Sequence, residues 1–400
     1  MHDAPDHRYR ARGVSSGKAE VHAAIRSQDK GLFPGAFCKI VPDLLSGDDQ
    51  HCLIMHADTA GSKASLAYLG WREGLGDEVW QGVAQDALVM NIDDCACVGA
   101  LGPYLVCNTI GRHARLIPGA AIAGIIAGYQ RACDTLAAEG ITCILTGGET
   151  ADVGDVVRTV DVGCTVTTRL RRDAVIDASR SRPGDLIVGF SSTGQARWES
   201  RPNAGIGSNG LTSARHDALG HDYAARYPET YAPDTDPAMI YCGPHRLEDP
   251  LPGSDGMSIG QALLSPTRTY LPLIKALLAA VPRQAIHALI HCTGGGQTKI
   301  GHFGRHLRYI KDDLLPTPPL FARLREVSNT SWAEAYAVWN MGVRLEAVVS
   351  PEIAADCLAV AQDCGIEARI HGRVEAHDGP GNEVIILGEG GEHRYHNPGT

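Results

Sequence analysis

The stretch Cys143-Ile144-Leu145-Thr146-Gly147-Gly148-Glu149-Thr150 sets an acidic residue behind a glycine pair at the end of an apolar, β-branched run. It reads as a strand that ends in a ligand-binding turn. Glycine lets backbone N–H groups approach a ligand closely, and a carboxylate beside them can hold a divalent cation. Two upstream segments repeat the device. One is His56-Ala57-Asp58-Thr59-Ala60-Gly61-Ser62-Lys63; the other is Asn91-Ile92-Asp93-Asp94, followed by Gly99-Ala100. Three such points in one half of a chain suggest a Mg²⁺–triphosphate pocket.

Working outward, apolar and β-branched content predicts strands at 52–57, 104–108, 143–146 and 156–168, with helical periodicity over 79–97 and 120–138. A helix is also expected near 19–28, after a basic, small-residue segment at 9–18 that reads as mobile. The charged run and proline turn within 169–183 mark a boundary. Beyond it come a strand at 186–191, a glycine- and proline-rich excursion with a helix at 211–227, and a helix at 269–280. A strand at 285–291 and an α/β portion over 343–387 complete the pattern. The reading is an α/β (α+β) chain of two domains, 1–174 and 175–400.

The 400 residues carry a net charge of −10, which argues against a generic nucleic-acid binder. The twelve cysteines are scattered, and Cys95-Ala96-Cys97 lacks C-x-x-C spacing, so they read as reduced core residues. The N-terminus shows no apolar signal region, and the greasy stretch 117–129 is too short to span a bilayer. A cytoplasmic protein with no membrane or nucleic-acid partner is expected.

Individual motifs carry competing readings. Lys63, five residues past Asp58, could bind phosphate, although for this segment alone a solvated strand-end turn accounts better for the residues. Asp86 and Asp93 lie seven apart and share a helix face, since seven residues drift by only about 20°. On a largely apolar helix they need partners: arginine, or a metal or substrate. His291 precedes Thr293-Gly294-Gly295-Gly296 and could contact phosphate or donate a proton. The run Gly205-Ile206-Gly207-Ser208-Asn209-Gly210 matches G-x-G-x-x-G, but no strand precedes it. An anion-binding turn before a helix fits better than a dinucleotide site.

Together these segments, in order from Tyr9 to Leu345 and including Ser265-Pro266-Thr267-Arg268-Thr269-Tyr270 and Trp339-Asn340-Met341-Gly342-Val343, resemble the phosphoribosylformylglycinamidine cyclo-ligases. The resemblance implies ATP and Mg²⁺ as cofactors and a phosphoribosyl substrate. It also implies a homodimer whose N-terminal sheets join in a β-barrel, and a C-terminal mixed sheet with helices. Carried onto this chain, it assigns Asp58, Asp94 and Glu149 to the metal, and His291, Asp94 and Lys63 to catalysis. Gly13, Lys18, Asp58, Gly61, Ser62, Lys63, Gly147 and Gly148 are assigned to the nucleotide. The substrate is assigned Ser208, Asn209, Gly210, Thr293, Gly294, Gly295 and Gly296. The chain departs from the family where many members have Pro-His-Ser-Asn-Gly: it has Gly207 in place of the histidine. It also carries extra residues over 220–260. Another phosphotransferase of the same superfamily, or a non-catalytic nucleotide-binding scaffold, stays open.

Overall fold

The computed structural model describes residues 7–14, 19–25 and 27–397, so Lys18 lies outside the described residues. Among these, the strands form two mixed sheets. The first holds β1 (Val41–Pro42), β2 (His51–Thr59), β3 (Tyr104–Arg112), β4 (Cys143–Asp152) and β5 (Val160–Arg171), in the order β1-β2-β5-β3-β4. The second holds β6 (Leu186–Ser191), β7 (Ile286–His291), β8 (Leu307–Lys311), β9 (Val343–Val349), β10 (Ala368–Ala376), β11 (Asn382–Gly388) and β12 (Gly391–Asn397). Its order is β12-β11-β8-β10-β6-β9-β7.

Helices α1 (His7–Arg10) and α2 (Ala19–Ile25) precede the first sheet, which carries α3 (Lys63–Arg72), α4 (Glu78–Ala96) and α5 (Gly119–Ala138). The later helices are α6 (Leu211–Ala218), α7 (Asp222–Arg226), α8 (Ile259–Leu263), α9 (Leu271–Ala280), α10 (Pro319–Ser328), α11 (Trp332–Val338) and α12 (Ala354–Asp363).

Alternation along the strands decides which face is covered. In β3, Tyr104, Val106 and Ile110 are buried while Leu105 and Cys107 face out; in β5, Val160, Val162 and Val166 point inward. The inward row of β5, with β2 beside it, meets α4, whose run from Ala87 to Asp93 is buried throughout. Because α4 touches the sheet on one side and α9 on the other, it forms the seam between the two sheets.

Three expectations are corrected. Thr146-Gly147-Gly148-Glu149-Thr150 does not end a strand but lies inside β4. The pairing slips between Val106 and Asn108, and a Cβ on Gly148 would meet Asn108 Oδ1 at 2.2 Å, so the glycine makes room for a bulge through which the strand continues. The expected helix at 211–227 breaks into α6 and α7, because Leu219 turns extended and bridges to His245. The basic segment is held in place over its described part: the Arg12 guanidinium is buried and donates to Asp217 (2.7 and 3.0 Å), Ser213 Oγ (2.9 Å) and the Met239 carbonyl (3.1 Å).

Candidate active site

One face of α4 binds the second half of the chain. Asp86 accepts from Lys63 Nζ (2.8 Å), the Thr267 backbone N–H (2.7 Å) and Thr267 Oγ1 (2.5 Å). Two turns on, Asp93 accepts from Thr269 Oγ1 (2.6 Å) and the Tyr270 N–H (2.7 Å). The shared face expected from their spacing is real, but the partners are neither arginine nor an open ligand site. The two acids tie α4 to the segment before α9. Burial pushes the Asp93 carboxyl up to about 6, against the pull of His291 and the Thr269 and Tyr270 bonds.

Asp94 turns toward β2 and β7. Its Oδ1 accepts from His291 Nδ1 at 2.8 Å, and its Oδ2 lies 3.5 Å from His56 Nε2. His56 Nδ1 in turn donates to Asn91 Oδ1 at 2.9 Å. The other nitrogen of His291 receives Arg344 Nε at 3.2 Å. An arginine N–H can only donate, so the His291 proton sits on Nδ1 and is given to Asp94. Next to this chain of groups, Asn209 Oδ1 lies 3.4 Å from Arg344 Nη2, and Ser208 Oγ lies 3.4 Å from Thr267 Oγ1. Thr293 and Gly294–Gly296 follow His291 after Cys292; a Cβ on Gly294 would meet nothing within 4 Å, so the chain passes an open space there.

Asp94, His291, Ser208 and Asn209, remote in sequence, are thus brought to one seam, with Thr293–Gly296 beside them. Gly61 and Ser62 join it at the start of α3, where Ser62 Oγ lies 2.8 Å from Thr212 Oγ1 of α6.

Two of the assigned catalytic side chains are already engaged by protein groups. His291 is fully buried with both ring nitrogens engaged, bridging Asp94 and Arg344. Lys63 is equally buried; its ammonium reaches Asp86 and the carbonyls of Ser265 and Gly207 (3.4 Å).

The metal set is not assembled. Glu149 pairs across the sheet through Thr109 and Gly163 to Thr59, three strand spacings or about 14 Å away. Asp58, the neighbour of Thr59 in β2, therefore faces the opposite side of the sheet from Glu149. Ligands of one Mg²⁺ must all lie about 2.1 Å from it, and among the described residues no three His, Cys, Asp or Glu side chains are gathered to hold an ion. Gly147 and Gly148 stay on β4 with Glu149, and Gly13 follows the Arg12 anchor on α6.

A cavity of about 360 Å³ lies between α4, α5 and residues 198–203, and none of the cluster residues lines it. Arg344 and His56 were missed in the sequence. His56 opens the quoted His56–Lys63 segment without having been assigned a role, and Arg344 follows the motif residue Val343; only folding brings them together.

Residues 38–170 match the AIR synthase related protein N-terminal domain. A phosphoribosylformylglycinamidine cyclo-ligase from Methanothermobacter thermautotrophicus is 30% identical over 317 residues, covering 78% of this chain and 77% of the relative. The chain belongs to the phosphoribosylformylglycinamidine cyclo-ligase family. Cyclo-ligases of the same name from Methanococcus maripaludis (25% identical, 90% of this chain and 85% of the relative) and Myxococcus xanthus (28%, 84% of each) agree.

Solved structures show the same fold at lower identity. The Thermotoga maritima PurL complexed with ADP aligns with 98% of the chain at 17% identity and a TM-score of 0.53. This cyclo-ligase family member spans about half of that longer PurL chain. A HypE–HypF complex chain aligns over 95% of this chain and 99% of its own length at 14% identity, with a TM-score of 0.56. Among the described residues no helix is long and apolar enough to cross a membrane.

Proposed function

We propose that this chain closes the imidazole ring of formylglycinamidine ribonucleotide, converting it with ATP to aminoimidazole ribonucleotide, ADP and phosphate. The observation that carries the reading is the convergence of Asp94 and His291 with Ser208, Asn209 and the 293–296 turn at one seam, in a chain of this family. That ATP is the second substrate is supported by the family, and the like-folded PurL is an ADP complex.

In this reading ATP phosphorylates the formyl oxygen, giving an imidoyl phosphate and ADP. The amidine-side nitrogen attacks the activated carbon, the C–O bond breaks, and phosphate leaves with the former formyl oxygen. Relative to the substrate, the product has lost the elements of water. Attack is intramolecular, so holding the two ends together supplies much of the rate; effective molarities reach about 10⁵–10⁸ M for well-oriented groups. Ser208, Asn209 and the 293–296 backbone hold the ribose phosphate. His291 holds Asp94 in place at the reacting end. The segment at Gly13, anchored through Arg12 to Asp217, covers the site.

Pairing of two copies through the first sheet belongs to the same proposal. Met55, Thr167, Leu105 and Ile144 form one cross-strand row on the uncovered face, and Met55, Leu105 and Ile144 are 70%, 48% and 49% exposed. A row of apolar side chains on a sheet face is what a second sheet would cover.

The test follows ADP release with and without formylglycinamidine ribonucleotide and weighs the product. Substrate-dependent ADP with a product lighter by one water supports the cyclo-ligase. ADP release indifferent to the substrate supports another phosphotransferase, and no turnover in the folded protein supports a scaffold.

A further inference from the structure

Arg344 enters the site from the start of β9 and is 1% exposed. Its guanidinium has no ion pair with a described carboxylate. Nε goes to His291, and Nη2 lies 3.1 Å from the weak acceptor Met90 Sδ and 3.4 Å from Asn209 Oδ1. Nη1 is buried and has no partner at all. A buried guanidinium with unmade bonds is costly unless an anion completes it. Two other buried arginines are paired with carboxylates, Arg12 with Asp217 and Arg268 with Glu199, while Arg215 gives Nη1 to the Thr230 carbonyl and Tyr241 and leaves its own Nε without a partner.

The unpartnered nitrogen points at Gly207. A Cβ there would lie 1.9 Å from Nη1, so the guanidinium occupies the space a side chain at 207 would need. A histidine side chain at 207 and the Arg344 guanidinium therefore cannot share this space, and here the cation comes from β9. Around this point stand donors suited to phosphate: Ser208 Oγ, Asn209, the open backbone at Gly294, and the first turn of α6 beyond Gly210.

We propose that Arg344 is an anion-binding residue of the active site, whose free Nη1 edge receives a phosphate oxygen between the 205–210 loop and the end of β7. The choice of phosphate rests on the cyclo-ligase reading; the unfilled guanidinium does not. The oxygen comes either from the ribose 5-phosphate of the substrate or from the terminal phosphate of ATP.

The experiment compares the full-length protein with Arg344→Met by thermal unfolding, using ribose 5-phosphate and ATP separately at matched ionic strength. The variant is expected to melt no lower than the parent without ligand, because an unpaired buried charge has been removed. Its apparent affinity for one of the two probes is expected to fall about tenfold to a hundredfold, the range of a charge-assisted hydrogen bond. Loss of the ribose 5-phosphate response assigns the substrate phosphate; loss of the ATP response assigns the nucleotide. A lower melting point with both ligand responses intact overturns the proposal and makes Arg344 structural. So does a parent protein that responds to neither probe. Should the methionine variant fail to fold, Arg344→Gln takes its place, and failure of both also overturns the proposal.

The two readings separate. A parent without substrate-dependent ADP release, but with an Arg344-dependent phosphate response, sinks the cyclo-ligase reading and leaves the anion site. Turnover by Arg344→Met with the parental KM for both substrates sinks the anion site and leaves the cyclo-ligase.

Discussion

At the residue scale, buried charges hold the seam, and each has a definite cost if broken. Lys63 and Asp86 are both sealed from solvent, 2.8 Å apart. Burial pulls the Lys63 ammonium below its ordinary pKa, and Asp86 opposes that pull. Lys63→Met leaves a carboxylate buried beside two Thr267 donors but without its cation, and is expected to cost about 3–5 kcal/mol. The urea midpoint reads this directly. A variant of parental stability with a raised KM for ATP would instead return Lys63 to the phosphates. Arg268 gives the second case: Nε and Nη2 grip Glu199 in a fork at 2.9 and 2.5 Å, and the remaining N–H groups reach the carbonyls of Ser191, Thr193 and Gly194. A lysine cannot reproduce that fork. Arg268→Lys is expected to destabilise the protein by about 3 kcal/mol, again by urea unfolding. The Ser-Pro-Thr-Arg-x-Tyr motif was legible as a string, but its work is structural, and nothing in the string says so.

At the element scale, α6 is tied down from two directions. Asp217 takes Arg12 and Arg8 from the N-terminal segment, and His216 Nδ1 accepts the Tyr241 N–H (3.1 Å) from residues within the 220–260 insertion. The insertion thus packs on the helix that follows the Ser208-Asn209 loop. Burial first, then Arg215 and Arg12, hold the His216 imidazole down to about 2. Unfolded, it would titrate near 6.5. Between these values the unfolded chain binds the extra proton, so stability contributed by neutral His216 is complete above pH 6.5 and is lost as the pH falls toward 2. His216→Asn, which can keep the acceptor, is expected to flatten the fall in melting temperature between about pH 6.5 and 4. An unchanged slope would remove His216 as its source. The helix boundaries of α4 and α5 were readable within a residue because long apolar periodicity leaves little choice. The break at Leu219 was not, because the partner that competes for the backbone, His245, lies far along the chain.

At the scale of the whole molecule, the proposed pairing of two copies would use the uncovered face of the first sheet. Leu105→Glu puts a charge into the row Met55–Thr167–Leu105–Ile144 without touching the buried side of β3. The parent is expected to sediment as a dimer at micromolar concentration and the variant as a monomer. A monomeric parent would remove the dimer from the proposal. Glu149 lies on this same outward face and Asp58 on the other, so one chain does not build a single-ion centre from them. Glu149→Gln and Asp58→Asn are accordingly expected to alter Mg²⁺ dependence of turnover independently, with effects that add. Strong non-additivity would place both on one ion.

The sequence by itself determined the α/β alternation, the seam helix, the family and most residues that converge on the site, because periodicity and short motifs are local properties of the chain. Only the tertiary structure decided what those residues touch. It turned Lys63 and His291 inward, set Asp58 and Glu149 on opposite faces of a sheet, and brought Arg344 into the space left by Gly207. The reason is physical: a side chain's role depends on which partners share its burial, and partners 23 to 197 residues away in the chain cannot be read from spacing.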